Sequence, residues 1–323
     1  MNILYLIGNG FDKAQGLNTS YPEFYSWLHK QKPLNAFEER IHKEIEGNYA
    51  TWADLEKALG LYSKGFTEPD DFRNVIRYFN TRLKEYLQIE EKKAHSLTYN
   101  PSKLIRDLSN PQMYLEGQGQ EIYQKSILDG LDTDIEIHVV TFNYTSTFEL
   151  ALGDRRNFGV HSNRNVFFQD VLHIHGVLDD MILVGVDNES QISNMSFRSN
   201  EDIRDEFIKP EINEGCQNTN NATFASLIRE ANVIVLFGVS VGDTDNTWWH
   251  LIGECMDREY RLPLLLFFPY DPDKDTKRNP NYKRRWSNSY IEFLKRKMNI
   301  SKSVEELKKY ICVGINKDFL KLV

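Results

Sequence analysis

Apolar and polar positions along the chain fall into two rhythms. Ile3-Leu4-Tyr5-Leu6-Ile7 and Val233-Ile234-Val235-Leu236-Phe237 are unbroken apolar runs, and Leu262 to Phe268 is nearly so. Such runs, bounded by turn residues, predict strands buried on both faces. Ile135 to Phe142 and Val166 to Ile174 predict two more strands, and Met181 to Val186 a further short one. Between them the spacing is helical. Phe72, Val75, Ile76, Phe79, Leu83 and Leu87 form one stripe of a long helix predicted from Pro69 to about Ala94. Shorter helices are predicted over Pro22 to Leu28, around Phe37, Ile41 and Ile45, and from Thr223 to Ala231. Trp248, Trp249, Leu251 and Ile252 mark another, and Asn288 to Met298 and Val304 to Tyr310 two more. Thr51 with Asp54 resembles a capping box ahead of Leu55, Ala58 and Leu59.

No strand pattern interrupts residues 20–131. The prediction is therefore an α/β fold, a doubly wound parallel sheet formed by 1–19 and 132–323, with a large helical insertion over 20–131 after the first strand-turn. Residues 188–220 are polar and are predicted to be the mobile segment, and 271–281 a hydrophilic loop.

Composition narrows the class. Of 323 residues, 41% are hydrophobic and 12% aromatic, which predicts a globular chain with a large core. A net charge of −8 argues against nucleic acid as a partner, though not against an anionic nucleotide held by backbone amides. Three separated cysteines, Cys216, Cys255 and Cys312, offer neither a CxxC metal pair nor a disulfide framework, which fits a reducing cytoplasm. Neither a signal peptide nor a membrane span is expected, since the longest apolar run is far shorter than the roughly 18–20 residues a span needs.

The candidate chemistry sits where strands end. The first strand runs into Gly8-Asn9-Gly10-Phe11-Asp12, the second into Asn143-Tyr144-Thr145, the third into His173-Ile174-His175-Gly176, and Val233–Phe237 into Gly238-Val239-Ser240-Val241-Gly242-Asp243-Thr244-Asp245. In an open parallel sheet the carboxyl ends of strands share one edge, where ligands bind. Asn9, Asp12, Asn143, His175, Ser240 and Asp243 are therefore expected to converge. A Gly-x-Gly turn after a buried strand lets backbone N–H groups approach a phosphate. Asp243 and Asp245 also suit the start of the following helix as caps.

These four turns, in this order, resemble the motif set of the AbiH family, linked to bacteriophage abortive infection. Trp52-Ala53-Asp54-Leu55-Glu56 with Leu59-Gly60 adds to the likeness. The same turns are similar to those of Rossmann-like SIR2 (sirtuin-like) domains, many of which hydrolyse NAD+ in bacterial defence. That resemblance implies NAD+ as substrate, with Asn143 and His175 as the catalytic pair. Gly8, Gly10 and Phe11 would line the pyrophosphate and nicotinamide side, and Asn9, Asp12, Thr141 and Tyr144 would also contact the nucleotide. Gly238 with Ser240 would line the ribose side, and Asp243 and Asp245 would complete the nucleotide contacts. Two positions depart from the SIR2 pattern: Asp12 stands where it has Ser, and Thr145 where it has Asp. The absence of a cysteine quartet removes the zinc of deacylating sirtuins and argues against protein deacylation; no metal is expected. A phage-derived trigger and a homo-oligomer are compatible with this reading. Two other classes fit the residues: a non-catalytic nucleotide sensor in a defence system, and a metal-dependent phosphoesterase or nuclease drawing on His-x-His.

Overall fold

Ile3 to Ile7 are all within 1% of full burial, because the strand they form has a neighbour on each edge and a layer on each face. In the computed structural model, β1 (Asn2–Ile7) pairs in parallel with β2 (Ile135–Thr141) on one side and with β5 (Val233–Phe237) on the other. The structure describes residues 1–323 apart from 130–132, 162–163, 217–218, 271–279 and 315–317. Most of the expected 271–281 loop thus lies outside the described residues.

Among the described residues one seven-stranded sheet runs in the order β3-β4-β2-β1-β5-β6-β7. It includes β3 (Asn157–His161), β4 (Arg164–His173), β6 (Leu264–Phe268) and β7 (Ile311–Val313). Every pairing is parallel except β3 with β4. The alternation of side chains along β1 divides the core. Ile3, Tyr5 and Ile7 face one apolar cluster, and Leu4 and Leu6 another. The first is covered by α6 (Pro101–Ser109), α7 (Gln118–Tyr123), α8 (Thr147–Leu152) and Phe319 to Leu322. The second is covered by α11 (Asn220–Glu230), α12 (Asn246–Met256) and α13 (Pro280–Lys297).

Between β1 and β2 the described residues form helices and single turns. They are α1 (Gly10–Ala14), α2 (Tyr21–Leu28), α3 (Ala36–Gly47), α4 (Leu55–Tyr62) and α5 (Pro69–Ser96), followed by α6 and α7. Packing divides this stretch. α2 to α5 build a third apolar cluster, shared with Tyr144 and with residues from Leu178 to Ile208, whereas α6 and α7 lie on the sheet.

Three expectations need correcting. Met181 to Val186 joins no strand of the sheet; it makes single bridges, Gly176 to Ile182 and Val186 to Ile208, because Leu183, Val184 and Val186 are turned into the interior. Within 188–220, α9 (Glu201–Phe207) and α10 (Lys209–Gly215) stand where a mobile polar segment was expected. Phe197, Ile203, Phe207 and Ile208 anchor them in the third cluster. Thr51 is not a cap: Thr51–Ala53 is a 3-10 turn, and the carboxylate of Asp54 accepts from Lys57 N (3.1 Å) to cap α4.

Candidate active site

The turn after β1 is shaped by its neighbour after β5. A Cβ on Gly10 would stand 2.4 Å from Gly238 Cα, and one on Gly8 2.6 Å from the Gly238 carbonyl oxygen. Gly238 itself has φ +62, a conformation that favours glycine. The amides of Gly8, Gly10 and Phe11 donate to the carbonyls of Phe237 (3.0 Å), Gly238 (3.0 Å) and Gly8 (2.9 Å). The glycines thus serve turn-on-turn packing, and those three N–H groups are committed inside the protein instead of facing a phosphate.

What this packing delivers is Asp12. Its carboxylate is 1% exposed and accepts from Asn143 Nδ2 (3.1 Å) and from the Thr145 hydroxyl (2.7 Å), which in turn accepts from Thr147 (3.1 Å). Burial pushes the Asp12 carboxyl up to about 6; the hydrogen bonds from Thr145, Thr147, Asn143 and Thr19 oppose that rise. Asn143 is held from its backbone as well. Its N–H donates to the Thr141 hydroxyl (3.1 Å), and its carbonyl accepts from His173 Nδ1 (3.0 Å). His173 Nε2 lies 2.6 Å from the Glu149 carboxylate. Burial alone would lower His173, but Glu149 and the Asn143 carbonyl outweigh it and raise its pKa. With an acceptor on each nitrogen, the ring is held as a two-donor imidazolium that fixes the Asn143 turn.

His175, two residues past the end of β4, sits elsewhere. Its Nε2 is 2.9 Å from Asp245 Oδ1, and the same oxygen accepts from Lys209 Nζ (2.9 Å), which also reaches Glu56 Oε2 (2.9 Å). Burial would raise Asp245, but Lys209 and His175 hold it well below the usual carboxylate range. An ionised carboxylate can only accept, so Nε2 carries the hydrogen, and in the neutral imidazole the lone pair is then on Nδ1. Among the described residues Nδ1 makes no hydrogen bond. The ring is flanked by Phe142 (centroids 5.4 Å apart) and Tyr144 (6.2 Å). Lys209 is held well above its ordinary value: burial lowers it, but Asp245 and Glu56 prevail. Glu56 is raised, burial outweighing the pull of Lys209.

Both clusters open on one cavity of about 330 Å³ at the carboxyl edge of β1, β2 and β5. Of the expected site residues, Gly8, Asn9, Asp12, Asn143, Tyr144, His175, Gly238, Ser240 and Asp245 line it. Four do not. Phe11 is fully buried between Phe148 and Phe237 in the core, because it leaves the turn on the opposite side from Asp12. Gly10 is packed against Gly238 and Tyr270. Thr141 is buried behind Asn143 and donates to the Ile7 carbonyl (3.3 Å). The Asp243 carboxylate turns outward to Lys57 (3.1 Å) and Lys297.

Asp245 precedes α12 without capping it through its side chain; Asp187 accepts from Thr247 N instead (3.2 Å). The far wall comes from the helical stretch, through Tyr21, Asp54, Glu56, Leu83 and Leu87. Lys209 carries no motif and was not among the expected residues; Glu56 was legible only through its place in the Trp52–Glu56 segment. No group of three or more His, Cys, Asp or Glu side chains arranged to hold a metal ion occurs among the described residues. No helix among them is long and apolar enough to cross a membrane.

Two comparisons with known proteins bear on this cavity. A family model described as "Bacteriophage abortive infection AbiH" matches residues 4–264, from β1 to the start of β6. No curated protein matches the chain.

Proposed function

The chain belongs to the bacteriophage abortive infection AbiH family, and from that premise we propose that its cavity hydrolyses NAD+ to nicotinamide and ADP-ribose, on a sheet of the Rossmann-like, SIR2-like kind. The observation that carries the reading is the meeting of two prepared groups at one cavity: Asn143, oriented by Asp12, and His175, oriented by Asp245.

The two departures from the SIR2 pattern support it in an unexpected way. Asp12 and Thr145 touch each other at 2.7 Å. The hydroxyl and the carboxylate that the pattern asks for are both present, with their positions exchanged.

The chemistry follows from the donor set. The C1′–N bond of the nicotinamide riboside breaks with its electron pair going to nicotinamide, and a ribosyl cation develops. Asp12 and the other carboxylates of the wall stabilise that positive charge. Asn143, whose Nδ2 is given to Asp12, offers its amide oxygen to a ribose hydroxyl or to water. His175 Nδ1 takes the proton of the water that attacks C1′ and releases it to solvent. Asp12, Asp54, Glu56 and Asp245 line the cavity, and the buried Lys209 ammonium pairs with Glu56 and Asp245. That field favours the cationic nicotinamide end inside, with the phosphates toward the mouth.

His175→Ala removes the base and is expected to lower kcat by about 10²–10⁴-fold. Asn143→Ala is expected to abolish measurable NAD+ consumption. Turnover in either purified variant equal to that of the unaltered protein would remove that residue from the mechanism.

A further inference from the structure

Lys209 and Glu56 take no part in the bond changes above. Yet Lys209 is the one buried lysine among the described residues, and Glu56 is buried with it. Three parts of the chain supply this cluster: Glu56 from α4, Lys209 from the first turn of α10, and Asp245 from the 3-10 turn before α12. The backbone at Lys209 is fixed too, since its N–H donates to the Val186 carbonyl (2.9 Å) and Val186 N donates to the Phe207 carbonyl (2.8 Å).

A buried carboxylate held well below its ordinary pKa draws on a cation in contact with it. Asp245 Oδ1 has two candidates at 2.9 Å, the Lys209 ammonium and the His175 imidazole. With Lys209 removed, the imidazole would be the one cation candidate left in contact with Asp245 Oδ1.

We propose that Lys209 is a positioning residue for His175: its ammonium is the resident cation of Asp245, so the imidazole meets the cavity uncharged, with Nε2–H donated to Asp245 and Nδ1 free to accept. Glu56 holds Lys209 in place from the opposite side. The charged and titratable groups around His175 are Asp245, Lys209 and Glu56, with Tyr144 beside its ring and Asp12 and Asp54 elsewhere on the cavity wall. This inference rests on the acid–base reading of the site, and it predicts a property of His175 that can be read without any substrate.

The test follows the titration of His175 in the full-length protein by side-chain ¹⁵N–¹H correlation, with its signals identified by their loss in His175→Gln. Lys209→Gln keeps hydrogen-bonding capacity but removes the charge, and is expected to raise the pH at which His175 titrates by about one to two units. Glu56→Gln breaks the opposite side of the same cluster and is expected to lower that pH or leave it in place. A merely structural role moves both variants the same way. Lys209→Gln titrating like the unaltered protein, or both variants shifting upward, overturns the proposal. Should Lys209→Gln fail to fold, Lys209→Arg preserves the charge and must leave the titration where it is; a shift of about one unit there overturns the proposal equally. NAD+ turnover of the unaltered protein is measured alongside. Absent turnover with the expected shifts refutes the substrate and keeps the positioning role, and turnover without the shifts does the reverse.

Discussion

Asp12 concentrates the cost of the site in one side chain. Its carboxyl is raised from 3.8 to about 6 because burial outweighs four hydrogen bonds. A carboxyl whose folded value exceeds its unfolded value favours folding in its protonated form. That contribution is fully present below pH 3.8 and is lost as the pH rises through about 6. The gap is worth about 3 kcal/mol. Asp12→Asn carries no such charge, so its stability relative to the unaltered protein should rise by up to about 3 kcal/mol between pH 4 and pH 7.5. Denaturant unfolding of both proteins across that range measures it; a difference that stays flat with pH contradicts it. At this scale the chain was partly readable. Asn143, His175 and Asp12 stand at strand ends, where local pattern points. Lys209 does not: its partners Glu56 and Asp245 are 153 and 36 positions away, and its neighbours Ile208 and Pro210 give no sign of them. Asp243 and Asp245 look alike in the sequence, yet one faces surface lysines and the other the cavity.

Among elements, the turns after β1 and β5 act as a single unit. Gly238→Ala would place a methyl 2.5 Å from Gly10 Cα on a backbone at φ +62. It is expected to cost about 4 kcal/mol and to perturb the cavity with the fold. Gly16→Ala is the matched control, because φ is +86 there and nothing lies within 4 Å of the added carbon. The backbone penalty alone, about 1–2 kcal/mol, is expected. Thermal unfolding of the two variants separates them; equal losses would mean that close packing of the turns contributes nothing. The strands that carry the site were legible because they are continuous apolar runs or long alternations. β3 and β7 were not: Asn157–His161 includes an exposed glycine and only one buried apolar residue, and Ile311–Val313 is three residues long. Met181 to Val186 has the apolar content of a strand, but that content is spent on the third cluster.

For the whole molecule, the long helical stretch is more than an appendage to the sheet. α2 to α5 share one apolar cluster with Leu178 to Ile208, and α5 is tied to α9 through Arg73 and Arg77 on Glu206. The same stretch supplies Tyr21, Asp54 and Glu56 to the cavity. A parallel sheet with helices between its strands was readable from periodicity. The closing of the cavity by α4 and α5 was not, since it depends on contacts more than one hundred residues apart in sequence. NAD+ cleavage in the cavity, as proposed, has a direct test. Purified full-length protein incubated with NAD+, with and without phage lysate, should release nicotinamide and ADP-ribose in equal amounts. Saturable binding of NAD+ with no product on prolonged incubation under either condition would contradict it.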